Sequence, residues 1–144
     1  LGFVDAMHAN GLDIDPQLVQ TGNFEFAEGL ECARRILDCR PRPTAIFASN
    51  DDMAAAAVSA ARQMSLVLPR QLSIVGFDDA PVASMVWPQL TTVRQPLRVI
   101  GRAAAELISE YQPHRQGWPR PVPRRHLPLE LVLRGSLAPA PQDS

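Results

Sequence analysis

Two stretches decide how this chain folds: residues 43–52, PTAIFASNDD, and residues 68–79, LPRQLSIVGFDD. Each is a short apolar run that ends in a small polar cluster. The runs at 44–48 and 72–76 are apolar without alternation, which predicts strands buried on both faces. Between them lies DMAAAAVSAARQM, a helix with Met53, Ala54, Ala57, Val58 and Ala61 on one stripe, capped by Asn50 or Asp51 and ending near Met64. Strand, helix and strand make a βαβ unit. The fold class is therefore α/β, with a parallel sheet and a right-handed crossover.

The rest of the chain is placed outward from this unit. Upstream, residues 1–10 read as the last turns of a helix, with Phe3, Ala6 and Met7 on one face and Asn10-Gly11 as the stop. Residue 1 is not methionine and the helix opens without a cap, so the expectation is a chain whose upstream portion is missing. Residues 12–22 predict a loop and a short strand at Leu18-Val19. A helix over 25–38 should bury Phe26, Leu30, Ala33 and Leu37, and Arg40-Pro41-Arg42-Pro43 stops it.

Downstream, residues 80–90 predict a short helix or turn presenting Val82, Met85, Val86 and Trp87. Thr91-Thr92-Val93 is extended. Pro96 opens a helix with Leu97, Ile100, Gly101, Ala104, Leu107, Ile108 and Tyr111 on one face. A basic, proline-rich linker at 113–123 leads to a last strand at 129–133. Residues 137–144 read as a disordered tail.

Composition excludes several classes of function. The 144 residues are about one domain, and 46% are hydrophobic, enough for a core. The net charge of −1 gives no global attraction to nucleic acid or to an anionic membrane. No apolar run approaches the roughly 20 residues of a membrane span. Cys32 and Cys39, seven residues apart on one helix, would sit about 10 Å from each other, beyond disulfide reach. They read as thiols in a reducing compartment, and His8, His114 and His126 have no metal-ligand spacing. No cofactor is expected. Catalysis finds little support, since GFDD carries no nucleophilic serine and no glycine loop cradles a phosphate.

Ligands of open parallel sheets bind beyond the carboxyl ends of the strands, where both polar clusters lie. Asn50 offers a donor and an acceptor, and Asp78 accepts, so the pair suits a neutral polyol or nucleoside. The same residue types also serve as helix caps and turn formers, and for Asp51, Asp52 and Asp79 that reading is preferred.

The order PTAIFASNDDMA, LPRQLSIVGFDDAP, PQLTTVRQP with Gly101 beyond it, and LPLELVLRGS resembles the LacI/GalR family of bacterial transcriptional repressors. The likeness runs from Gly2-Phe3 to about Ser136. It implies residues 1–136 of a periplasmic-binding-protein-like (type I) sensor domain, mainly its C-terminal subdomain. It also implies that the helix at 96–111 is lent to the other subdomain and that the strand at 129–133 returns. The resemblance makes Phe24 a stacking wall for an effector, Asn50 and Asp78 hydrogen-bonding partners of its hydroxyls, and Leu97 a lining residue from across the cleft. It assigns Ala55, Ser59, Pro81, Met85, Val86 and Trp87 to a homodimer interface. A cytoplasmic regulator is implied, with a sugar or nucleoside-like effector. Operator DNA would be bound only through a helix-turn-helix that this sequence lacks. The sequence departs from the family at Ala56 and Ser65, usually glycines, and at Leu68, usually valine. A secreted sugar-binding protein serving a transporter is the alternative with the same fold.

Overall fold

The computed structural model of the chain describes residues 2–110 and 124–140. In order it has α1 (Gly2–Ala9), a single 3-10 turn (Pro16–Leu18), α2 (Phe26–Asp38), β1 (Ala45–Phe47), α3 (Asp51–Gln63) and β2 (Ser73–Val75). Then come α4 (Val82–Met85), β3 (Thr92–Arg94), α5 (Leu97–Glu110) and β4 (Glu130–Val132). Tyr111 and the linker at 113–123 fall outside the described residues.

The parallel pair is present. β1 lies beside β2 with Ala45 opposite Ser73, Ile46 opposite Ile74 and Phe47 opposite Val75. The other side of β2 is filled by two segments. Gly76 N donates to Thr91 O at 3.0 Å and Asp78 N to Val93 O at 2.9 Å, which sets β3 parallel to the end of β2. Ser136 closes the gap before it: Ile74 N donates to Ser136 O at 2.9 Å, and Ser136 Oγ donates to Ile74 O at 2.5 Å and accepts from Thr91 N at 2.8 Å. β4 then runs antiparallel to β3, with Val93 opposite Leu131. The backbone groups of β2 are thus satisfied on both sides, as a buried strand requires.

Helix α3 supplies much of the core. Ala54, Ala55, Ala56, Ala57, Val58, Ala60 and Ala61 are all buried, so the helix is covered almost all round. Small side chains allow that close cover. Helix α2 packs on α3 through Ala33 and Leu37, and Gly29 marks the closest approach: a Cβ there would meet the Met53 backbone at 3.0 Å. Ile46, Leu72, Ile74, Ala83 and Leu90 complete the cluster. Helix α1 buries no residue and is tied to the sheet edge by Phe3, whose ring stacks on Phe47 with centroids 5.8 Å apart.

Several expectations are corrected. Leu18 forms the end of a one-turn helix and not a strand, because Asp15 Oδ1 caps Gln17 N ahead of Pro16 at the first helical position. β1 is not buried on both faces: Ile46 points into the core, while Ala45 and Phe47 lie on the opposite face and are exposed, since among the described residues only the Phe3 ring of α1 covers it. Phe26 is exposed, and Gly29 and Cys32 take the buried positions of α2 in its place. On α5 the expected apolar face is present, with Leu97 and Ile108 exposed on it, and Ala103 is buried. At the start of the expected tail, Ala138 N donates to Ser73 Oγ at 3.0 Å and Ser73 Oγ to Ala138 O at 3.2 Å. Residues 141–144 lie outside the described residues.

Ile74, fully buried on the central strand, tests this packing. Ile74→Ala should lower the unfolding free energy by about 2–5 kcal/mol in urea titration, the usual range for such a deletion. A loss below about 1 kcal/mol would contradict a close-packed β2.

Candidate functional site

The carboxyl edge of the β1–β2 pair carries two groups of polar side chains. The first begins where β1 enters α3. Asn50 is the N-cap of α3, and its Oδ1 accepts from Met53 N at 2.9 Å. Its Nδ2 donates to Phe24 O at 2.8 Å. That bond steadies a turn in which Phe24 has φ 70°, a left-handed conformation that costs a side-chain-bearing residue about 1–2 kcal/mol. Asn23 Oδ1 supports the same turn by accepting from Glu25 N. The Phe24 ring is held outward, 61% exposed. Asn50 keeps one N–H and one lone pair free of these bonds.

The second group follows β2. Asp78 and Asp79 have φ 110° and 57°, two consecutive strained residues. Asp78 Oδ1 accepts from Gln95 Nε2 at 2.6 Å, and its Oδ2 takes no hydrogen bond from the described residues. Gln95 leads through Pro96 into α5, whose first residue, Leu97, is 68% exposed. Asp79 faces the two antiparallel strands instead. Its Oδ2 pairs with Arg94 Nε at 2.7 Å and its Oδ1 with Arg134 at 2.5 Å. Burial opposes the Asp79 charge, yet the hydrogen bonds from Arg134 and Arg94 prevail and hold its carboxyl below the ordinary value.

Asp51 joins the two groups. It is 1% exposed, with Oδ1 accepting from Thr92 Oγ1 at 2.6 Å and Oδ2 from Ala80 N at 2.7 Å. Burial pushes its carboxyl above the ordinary value, against both hydrogen bonds, and the charges of Asp78 and Asp79 add to the rise. Gly76 is the residue this carboxylate demands, because a Cβ there would run into Asp51 Oδ1.

Of the residues singled out in the sequence, Phe24 and Asn50 are in direct contact, and Asp78 and Leu97 flank Gln95. Asn50 and Asp78 each stand three residues beyond paired strand positions, Phe47 and Val75. The edge offers an aromatic face, an amide and a carboxylate oxygen, a set suited to stacking on and hydrogen-bonding a hydroxylated ligand. Sequence reasoning missed Gln95, and it read Asp51 and Asp79 as ordinary cap and turn residues. Beneath Phe24 lies a cavity of about 350 Å³, lined by Gly22, Cys32, Ile46, Ser49 and Met53 among others.

The residues assigned to an interface divide. Pro81, Met85 and Trp87 are exposed, and Ser59 and Val86 are half-buried. Ala55 is corrected: it is 2% exposed, in the core with Ala83 of α4, and has no surface to offer a partner. Among the described residues no group of three or more His, Cys, Asp or Glu could hold a metal, and no helix is long and apolar enough to cross a membrane.

The Asp79 pairs generate a pH prediction. A carboxyl held below its unfolded value near 3.9 contributes stability above that value and loses it as pH falls through the folded value. Asp79→Asn should therefore be less stable than the parent at pH 7, and the gap should close as pH falls below about 4. A gap that stays constant from pH 7 to pH 3 in chemical denaturation would contradict the ion pairs.

Residues 1–137 match the periplasmic binding protein-like domain family. The chain is 36% identical to the HTH-type transcriptional repressor CytR of Escherichia coli (strain K12) over 140 residues, which is 97% of this chain and 40% of that protein. It thus spans less than half of that relative's length. Among solved structures, a transcriptional regulator CelR–cellobiose complex superposes with a TM-score of 0.82 at 33% identity, covering 94% of this chain and 40% of that one. A regulatory protein of the LacI family from Chloroflexus aggregans gives 0.80 at 35% identity, covering 95% and 48%. The chain belongs to the periplasmic binding protein-like domains, and its relatives within them are LacI-family transcriptional repressors.

Proposed function

We propose that this chain is the effector-sensing part of a LacI-type repressor, and that a sugar or nucleoside-like ligand binds against Phe24, Asn50, Asp78 and Leu97. The observation that supports this most is the placement of two hydrogen-bonded pairs at the carboxyl edge of one parallel strand pair: the Asn50 side chain on the Phe24 carbonyl, and the Gln95 amide on the Asp78 carboxylate. Phe24 stacks on the ligand ring. Asp78 Oδ2 accepts from a hydroxyl, and the free amide proton of Asn50 donates to a second oxygen. Leu97, at the start of α5, closes on the apolar side of the ligand.

The reading is binding, as the repressor relatives suggest, and Asp78 and Asp79 do not form an acid–base pair, since they turn to different partners, Gln95 and the two arginines. The cognate relatives are repressors, which favours a cytoplasmic regulator over a secreted transport component. Signalling follows from population shift. A ligand that contacts both the β1–β2 edge and α5 binds one orientation of the two more tightly, and only that difference in affinity moves the equilibrium. A homodimer formed through Pro81, Met85, Val86 and Trp87 would transmit the shift to paired operator half-sites through a DNA-binding part elsewhere in the protein.

Two experiments on the full-length gene product test this reading. Mono- and disaccharides and nucleosides are titrated by calorimetry, and Asp78→Ala should weaken the tightest of them by about 1–3 kcal/mol, as loss of a charged acceptor covered by the ligand does. Unchanged affinity would remove Asp78 from the site. Trp87, 73% exposed, should anchor the dimer. Trp87→Asp should move the sedimentation profile toward monomer, and a profile identical to the parent's would sink that interface.

A further inference from the structure

We infer that Asp51 is a positioning residue of the effector site: without touching ligand, its carboxylate fixes the loop that carries Asp78 relative to the helix start that carries Asn50. The inference rests on the sensor reading above for its consequence, and on geometry alone for its substance.

Asn50 and Asp78 sit on different segments, 28 positions apart in the chain, and are not bonded to each other. Their relative placement depends on what joins those segments. Asp51 follows Asn50 directly, as the first residue of α3, so its backbone moves with the cap. Its Oδ2 takes the amide of Ala80, two residues beyond Asp78. Its Oδ1 takes the Thr92 hydroxyl, and the oxygen of that hydroxyl accepts from Asp79 N at 3.3 Å. One carboxylate therefore holds the amide of residue 80 directly and that of residue 79 through one hydroxyl.

Those two amides close the strained part of the loop. Asp78 and Asp79 both have positive φ, a conformation that persists only where the surroundings over-determine it. With amides 79 and 80 captured, the Asp78 carboxyl is aimed at Gln95, and its second oxygen is left for a ligand. Gly76 supports the assignment, since a side chain there would displace the carboxylate. A residue serving only as an N-terminal charge for α3 would remain solvated. Asp52, beside it in the same first turn, does so, being exposed where Asp51 is 1% exposed.

Three variants of the full-length gene product test this without any ligand. Asp51→Leu keeps the branched shape, with methyl groups in place of the oxygens, and removes both acceptors. Asp51→Asn keeps an oxygen for Ala80 N and offers an N–H to Thr92 Oγ1. The readouts are amide exchange at Ala80 and the side-chain N–H resonances of Gln95, which report the bond to Asp78. In Asp51→Leu the Ala80 amide should exchange at least about tenfold faster, and the Gln95 resonances should move to the positions of a solvent-exposed amide. In Asp51→Asn both should stay close to the parent. If Asp51→Leu fails to fold, Asp51→Ser, a good helix-start residue too short to reach Ala80 N, should give the same two losses. The inference is overturned if a folded Leu or Ser variant keeps both signals, or if Asn loses them as fully as Leu. A sensor reading that failed, with Asp78→Ala binding every sugar and nucleoside as the parent does, would leave these readouts untouched, so the two failures are distinguishable.

Discussion

The Asp51 carboxylate accepts from Thr92 Oγ1 and from Ala80 N while almost wholly withdrawn from water. A buried carboxylate is costly unless its oxygens are satisfied, and breaking one such bond costs more than forming it gains. The arrangement is therefore close to all-or-none. It ties the start of α3 to the end of the β2 loop and to the first residue of β3, three segments that meet at the carboxyl edge of the sheet. The identity of Gly76, the left-handed turns at 78 and 79, and the aim of Asp78 all depend on it.

Around this centre the charges are sorted by job. Asp79 spends its carboxylate on Arg94 and Arg134, which belong to β3 and to the segment after β4. Asp78, one residue earlier, keeps an oxygen open. The neighbouring residues of the GFDD sequence thus divide into one that holds the antiparallel strands and one that faces the proposed ligand. Both strands lead away from the parallel sheet, β3 into α5 and β4 back from the segment before it. A ligand held at Asp78 stands one residue from the anchor of both strands, a short route for coupling binding to their orientation.

Much of this was legible in the sequence where a local rule met a local pattern. Unbroken apolar runs before SNDD and GFDD gave away the parallel pair, and Asn50 was readable as the cap of α3. The family likeness gave Asn50 and Phe24 each a place at the ligand, but their bond was not legible, since 26 residues separate the amide from the carbonyl it binds. Asp51 was readable as a structural residue at the start of α3, but its burial and its partners were not. Its partners, Thr92 and Ala80, lie far along the chain and carry no signal of their own. Phe26 was misplaced for a related reason: periodicity shows which face is apolar and not what covers it. Ala55 was placed by the family likeness alone, which does not say how closely this chain's own elements pack. On α3, helix α4 and the sheet cover even the alanine expected outside. On α5, the apolar face is open among the described residues.

On the proposed reading, the carboxyl edge of β1 and β2 is one wall of a ligand site. Backbone and side-chain amide mapping by NMR, during titration of the full-length gene product with mono- and disaccharides and nucleosides, tests it most directly. The compound that binds is expected to shift Phe24, the Asn50 side chain, Asp78 and the Gln95 side chain first and furthest. Saturable shifts confined to other surfaces, with these four residues unmoved, would contradict it.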